Sequence, residues 1–98
     1  MTLESATNVL RSRVGEDTEL GGTLKFDFGS EGVVFIDGRS RPTTFSNDNK
    51  DADCTIGLAL SELEAMFAAD LSPTVAFMSG KLRVEGDVSV ATRLPSLQ

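Results

Sequence analysis

Apolar side chains recur along this chain with two different periods, and the switches between them divide it into elements. Leu3, Ala6, Leu10 and Val14 repeat every three to four positions and are followed by Gly15. That spacing predicts a helix over 1–14 with the glycine as its stop. After a polar connector, 16–22, the period changes to two. Leu24, Phe26 and Phe28 alternate with Lys25 and Asp27, as in a strand with one buried face. Gly29-Ser30-Glu31-Gly32 reads as a turn, and 33–36 as a second, more apolar strand. Asp37-Gly38 is a hairpin signal, because both positions tolerate positive φ. It predicts a returning strand over about 39–46. Pro42 cannot donate to a ladder, which assigns that strand to the sheet edge and makes the three strands an antiparallel meander.

The second half repeats the logic. A polar loop, 47–51, leads to a fourth strand, 53–57. Ser61 and Glu64 have the spacing of a capping box. They predict a helix to about residue 70, with Leu63, Met66 and Phe67 on one stripe. Ser72-Pro73 opens a short helix ending near Met78, since proline at the first helical position loses no bond. Leu82 and Val84 alternate in a fifth strand, 81–85. Asp87 can cap a last helix carrying Val90, Ala91 and Leu94 on one face. Five strands with interposed helices predict one α+β domain over 1–98, its meander burying one face under the helical stripes.

Composition narrows the functions. A chain of 98 residues hides only roughly 60–65% of its unfolded surface, so the core is limited. Fifteen acidic against nine basic residues give a net charge of -6. That balance repels phosphate backbones, so no nucleic-acid partner is expected. It also opposes anionic headgroups unless basic residues gather on one face. Arg11 with Arg13, and Arg39 with Arg41, read as solvated surface charge. The single cysteine excludes an intrachain disulfide. Nothing reaches the length of a bilayer span, 1–14 lacks the apolar segment of a signal peptide, and Ser96-Leu97-Gln98 is not the peroxisomal address. The expectation is a cytoplasmic chain without stable membrane insertion.

Catalytic chemistry finds little material. The chain has no histidine, which removes the usual general base, the usual zinc ligand and every Ser-His or Cys-His pairing. Cys54, between Asp53 and Thr55, reads as a small buried hydrophobe. Asp48, Asp51 and Asp53 do not have calcium-loop spacing, and Gly80 with Gly86 match no phosphate-cradling loop. None of Lys25, Lys50 and Lys81 lies in a visibly apolar setting that would depress its pKa. No catalytic residue, metal or cofactor is expected, and the chain is not expected to be an enzyme.

What remains is the run from Pro73 to Asp87. An apolar helical turn with Phe77 and Met78 breaks at Gly80, and a short strand ends at Gly86-Asp87. The run offers soft apolar surface beside a tightly turned backbone. It resembles the signature of the sterol carrier protein type 2 lipid-binding domains. Ala52-Asp53-Cys54-Thr55-Ile56 resembles the strand before that family's middle helix, and Gly22 to Phe28 occupies the place of its first strand. The elements follow family order over nearly the whole chain. The resemblance implies a twisted, five-stranded, mostly antiparallel sheet with helices on one face and an apolar tunnel between the layers. It implies binding and transfer of a lipid or other long apolar molecule: a fatty acid, fatty acyl-CoA, sterol or isoprenoid, including a quinone precursor. The expected lining is Phe26, Phe35, Met66, Phe67, Leu71, Phe77, Met78, Leu82, Val90 and Leu94, with Gly80 and Gly86 shaping the backbone. Burying a methylene contributes about 0.8 kcal/mol, so a sixteen-carbon chain gains roughly 12 kcal/mol gross. Association and ordering offset at least about 4 kcal/mol of this. Micromolar to nanomolar affinity then needs no headgroup contact.

In that family the last helix continues over the tunnel mouth. Here Pro95 follows Leu94 and clashes with the carbonyl of Ala91, so either the mouth is more open or a second chain, as in a homodimer, closes it. Periodicity alone also fits a solid core. In that case the chain is an interaction module docking a partner enzyme of lipid or quinone biosynthesis.

Overall fold

Helix α1, Leu3–Val14, begins where Thr2 and Ser5 cap each other. The Thr2 amide donates to Ser5 Oγ (2.9 Å) and the Ser5 amide to Thr2 Oγ1 (3.2 Å). This reciprocal box uses serine where glutamate or glutamine is usual. Arg11 and Arg13 in the last turn suit the helix dipole. The computed structural model describes residues 1–15, 20–39, 42–68 and 73–92. The expected connector at 16–19, the residues at 40–41, the segment 69–72 with Leu71, and 93–98 with Leu94 and Pro95 lie outside the described residues.

The strands are β1 (Thr23–Asp27), β2 (Val33–Asp37), β3 (Thr44–Ser46), β4 (Cys54–Gly57) and β5 (Arg83–Gly86). They form one sheet in the order β3-β2-β1-β4-β5. β1 pairs antiparallel with β2, β2 with β3 and β4 with β5; only β1 and β4 run parallel. The meander and the edge position of β3 match the sequence argument, but β3 is shorter than 39–46. The β1–β2 pairing runs past Asp37: the Gly38 amide donates to the Gly22 carbonyl (2.9 Å) and the Gly21 amide to the Gly38 carbonyl (3.1 Å). The chain leaves the sheet only afterwards, so Asp37-Gly38 is not a tight hairpin, and Pro42 lies exposed outside the strand.

The register fixes the two faces. Leu24, Phe26, Val34, Ile36, Phe45, Cys54, Ile56 and Val84 pair with one another across the ladders and share the inner face. Lys25, Asp27, Phe35, Thr55, Arg83 and Glu85 share the outer face. The connection from β3 to β4 crosses that outer face. Lys25 Nζ donates to Asn49 Oδ1 (3.0 Å), and Lys50 Nζ stands 5.5 Å from the centroid of the Phe35 ring. At the end of this strap, the Asp53 amide donates to Thr23 Oγ1 (2.9 Å) while Asp53 Oδ2 accepts the Thr23 amide (3.1 Å). The reciprocal pair pins the start of β4 to the start of β1.

Among the described residues three further helices follow: α2 (Leu60–Phe67), α3 (Pro73–Met78) and α4 (Val88–Thr92). α2 does not start on the expected Ser61–Glu64 box. Ala59 flanks the helix and Glu62 Oε2 accepts its amide at 3.0 Å. The shift follows from burial, because starting at Leu60 turns Leu60, Leu63 and Met66 toward the sheet, where all three are buried. Glu64 lies instead 3.3 Å from the amino group of Met1. α1 packs on β2, β3 and α2, and α4 on β1 and β4. Asp87 caps α4 as expected, its Oδ1 accepting the Ser89 amide at 3.0 Å. Among the described residues no helix is long and apolar enough to cross a membrane.

At the end of β2, Asp37 forms a fork with Arg39. Nε donates to Oδ1 (3.0 Å), Nη2 to Oδ2 (2.8 Å), and the Arg39 amide also to Oδ1 (3.1 Å). The side-chain hydrogen bonds from Arg39, above all, hold the Asp37 carboxyl below its ordinary value. A carboxylate favoured by the fold adds stability at neutral pH, which is lost as pH falls through the lowered value. Because the pair is solvated its contribution is small. Arg39→Ala is therefore expected to raise the pH at which Asp37 titrates, followed by carbon NMR, and to leave the melt at neutral pH nearly unchanged.

Candidate functional site

Between the inner face and the helices lies a continuous apolar layer. Ala6, Leu10 and Val14 enter it from α1, Leu60, Leu63 and Met66 from α2, and Val90 from α4, against Leu24, Phe26, Val34, Ile36, Cys54 and Ile56 of the sheet. Its fully buried members carry no charge and no side-chain hydroxyl or amide. Phe26, 1% exposed, is the largest of them and stacks on Phe28, ring centroids 6.4 Å apart. Phe67, Leu82 and Val84 pack on the layer from its margin.

Five of the ten residues expected to line a ligand site thus meet in one cluster: Phe26, Met66, Phe67, Leu82 and Val90. Phe35 does not join them. It is buried, but its pairing with Lys25 puts it on the outer face, beneath the strap carrying Lys50. Met78 is 81% exposed, too open to wall an enclosed space. Phe77 lies in α3, and Leu71 and Leu94 fall outside the described residues.

The position of Leu82 depends on the turn before it. Gly80 has a φ of +78°, and the Lys81 and Leu82 amides donate to the Ala76 carbonyl at 2.9 and 3.1 Å. The Lys81 bond spans the helix end as in a Schellman cap, and it turns the chain sharply from α3 into β5. Gly86 works differently. Its φ is +89°, and a Cβ there would overlap the backbone carbonyl of Asp53. The two glycines shape backbone, one by conformation alone and one by conformation and close approach.

Two arginines cover the margin of the layer on the α1 side. Arg11 stands 5.6 Å from the centroid of the Phe45 ring and Arg13 5.2 Å from that of Phe67. Each such contact is worth about 0.5–1 kcal/mol at an exposed site. From the sequence alone both read as plain surface charge, since no local signal reveals partners so distant along the chain. At the opposite extreme, Val75 of α3 and Val88 of α4 are 56% and 55% exposed.

Among the described residues, clefts adjoin these elements at two places. One of about 300 Å³ lies between α2 and the 3₁₀ turn Gly29–Glu31, bounded by Met1, Phe28, Glu31, Leu60 and Glu64. Phe28 and Leu60 are at once walls of this cleft and members of the apolar layer. The other, about 120 Å³, is a polar recess on the outer face between Asp27, Thr55, Arg83 and Glu85. Cys54, the only thiol, is fully buried among apolar neighbours. Among the described residues no three of Asp, Glu and Cys converge as a metal site would need. What this arrangement can do chemically is exclude water from something apolar.

Comparison with known proteins gives a family and a fold. Residues 4–98 match the model of the SCP-2 sterol transfer family. Sterol carrier protein 2 of Bos taurus is 33% identical over 86 residues, which cover 82% of this chain and 16% of that protein. Hydroxysteroid dehydrogenase-like protein 2 of Mus musculus is 36% identical over 83 residues, covering 85% of this chain and 15% of that one. The chain therefore spans only about a sixth of the length of these relatives. Among solved structures, sterol carrier protein 2 like 2 of Aedes aegypti superposes with a TM-score of 0.73 at 19% identity, covering 93% of this chain and 91% of that one. At that identity the likeness concerns the fold.

Proposed function

The chain belongs to the SCP-2 sterol transfer family, and from that premise we propose that it is a non-enzymatic, cytoplasmic carrier of a long apolar ligand. The ligand classes are a fatty acid, fatty acyl-CoA, sterol or isoprenoid. The observation carrying this proposal is the uninterrupted apolar layer between sheet and helices within a chain that matches the family almost from end to end. The hydrocarbon is proposed to lie in a tunnel against the inner face, touching Phe26, Met66, Phe67, Leu82 and Val90. Leu71, Phe77 and Leu94 complete the lining on the sequence argument, whereas Phe35 and Met78 take no part. Binding is then desolvation of a chain, with selectivity left to whatever meets the headgroup.

Two measurements test this. An organic extract of the purified protein, analysed by mass spectrometry, is expected to contain a host acyl or isoprenoid lipid. Delipidated protein is expected to be stabilised when ligand is returned. At about a hundred times its Kd, a ligand adds about 2.7 kcal/mol, which in a domain of this size raises Tm by roughly 10–20 °C. No shift with fatty acids, acyl-CoAs, sterols and isoprenoids alike would overturn the carrier proposal.

A second proposal is favoured by the relatives' length. The chain spans 15% of a dehydrogenase-like protein, so related domains occur as parts of larger proteins. An accessory role beside an enzyme of lipid or quinone biosynthesis follows if the extract is empty and an enzyme copurifies.

A further inference from the structure

We propose that the outer edge of β5 is where a second copy of this chain docks, its own β5 running antiparallel about a two-fold axis through Val84, so that two sheets join into one. The proposal goes beyond the carrier reading and does not depend on it.

β5 stands at one end of the sheet, and among the described residues no backbone group pairs with its outer side. Arg83, Glu85 and Gly86 are exposed and Val84 is half-buried. The bond from the Asp87 amide to the Asp53 carbonyl (2.7 Å) sets the phase of the β4–β5 ladder. Opposed residues in an antiparallel pair alternate between bonded and non-bonded. Arg83 and Glu85 therefore bond to Gly57 and Thr55 opposite them, and the amide and carbonyl of Val84 turn away from β4. They are a donor and an acceptor ready for another strand.

Charge selects the occupant and the register. Pairing centred on Val84 sets Arg83 of each copy opposite Glu85 of the other, at non-bonded positions where side chains come closest. Among the described residues neither forms an ion pair within its own chain, so each is available to the other copy. Moving the axis one residue either way would set Arg83 against Arg83 or Glu85 against Glu85, which is unfavourable.

The exposed apolar surface agrees. Val75, Met78 and Val88 are 56%, 81% and 55% exposed, and they lie on α3 and α4, the helices joined to the two ends of β5. In the antiparallel pair the start of one β5 adjoins the end of the other. The α3 of one copy then meets the α4 of its partner, and these side chains gain cover. They enlarge a contact that a four-residue strand leaves well short of the roughly 1,200 Å² a stable interface buries in total. The opposite edge fits less well. β3 is three residues long and carries no charge, α1 packs on it, and Arg11 lies over its Phe45. Pairing therefore ends at two copies.

The test is sedimentation velocity of the full chain over a concentration series, at low and at high salt. The parent is expected to dimerise reversibly, and more weakly in high salt. Arg83→Glu and Glu85→Arg are each expected to weaken dimerisation about tenfold or more, because each sets like charges opposite one another twice in the symmetric contact. An equimolar mixture of the two variants is expected to regain the parent's association, since every charge then meets its opposite. In the parent, hydrogen exchange at the Val84 amide should slow as concentration rises. The proposal is overturned if the parent stays monomeric, if either variant dimerises as the parent does, or if the mixture of folded variants does not recover. It is also overturned if the concentration-dependent protection falls on β3 or α1 instead of β5. Should a variant fail to fold, the exchange measurement on the parent decides.

Discussion

Gly86→Ala is expected to destabilise the fold by about 2–5 kcal/mol. Holding a residue with a Cβ in the left-handed region costs roughly 1–2 kcal/mol, and forcing extra volume into a packed site adds about 1–3 kcal/mol. Both apply, because φ is +89° and the new methyl group would overlap the Asp53 carbonyl oxygen. That oxygen accepts the Asp87 amide at 2.7 Å, so the substitution also disturbs the junction of β4, β5 and α4. Total stability of a domain is only about 5–15 kcal/mol, so the loss is a large share of what holds the fold. Gly80→Ala is the internal control. Its φ is similar, +78°, but nothing lies within 4 Å of the added Cβ, so only the conformational cost of about 1–2 kcal/mol applies. Urea denaturation of both variants measures the gap. Equal losses would show that close approach at Gly86 is not the constraint.

Phe26→Ala is expected to lose about 3–5 kcal/mol, the usual cost of deleting a buried aromatic ring together with the void it leaves. Phe26 lies on the central strand, almost wholly buried, with Phe28 stacked against it. Collapse into the vacated space is restricted because both neighbouring strands, β2 and β4, are held in register. The proposed function adds a second readout. If an acyl chain occupies the layer beside Phe26, a long-chain fatty acid should restore part of the lost stability, shifting the variant's melt by more than it shifts the parent's. A variant that is destabilised but not rescued would mean that Phe26 packs a solid part of the core away from any ligand.

The sequence made β1 legible because only one of its faces is apolar, so alternation showed. β2 hid its faces. Residues Val33 to Ile36 are apolar on both sides, since the strap from Asn47 to Asp53 covers the outer face, and alternation disappears wherever both faces are covered. Phe35 therefore reads from the sequence as a lining residue although it belongs to the outer face. The ladder register decides it, as Val34 and Ile36 are the residues opposite Phe26 and Leu24. Helix starts were obscured by competition among local signals. Ser61 and Glu64 had suitable spacing, but burial of Leu60 moved the start of α2. Thr2 and Ser5 formed a real box that a search for glutamate or glutamine misses. Of the candidate site, the residues recovered in one cluster lie on regular elements with a helical or alternating period, except Leu82, which directly precedes β5. Met78 had the right spacing, yet its helix is six residues long, too short for periodicity to say which side meets the core. The reciprocal link of Thr23 with Asp53 had no sequence signal, because it joins residues 30 positions apart.

The parallel pairing of β1 with β4 has a consequence during synthesis. A nascent chain can close β1, β2 and β3 on themselves as soon as residue 46 leaves the ribosome. The far side of β1, however, keeps a row of unused amides and carbonyls until Cys54–Gly57 has also emerged. In that interval the growing polypeptide presents an open edge next to an apolar surface, the combination that invites aggregation between neighbouring chains.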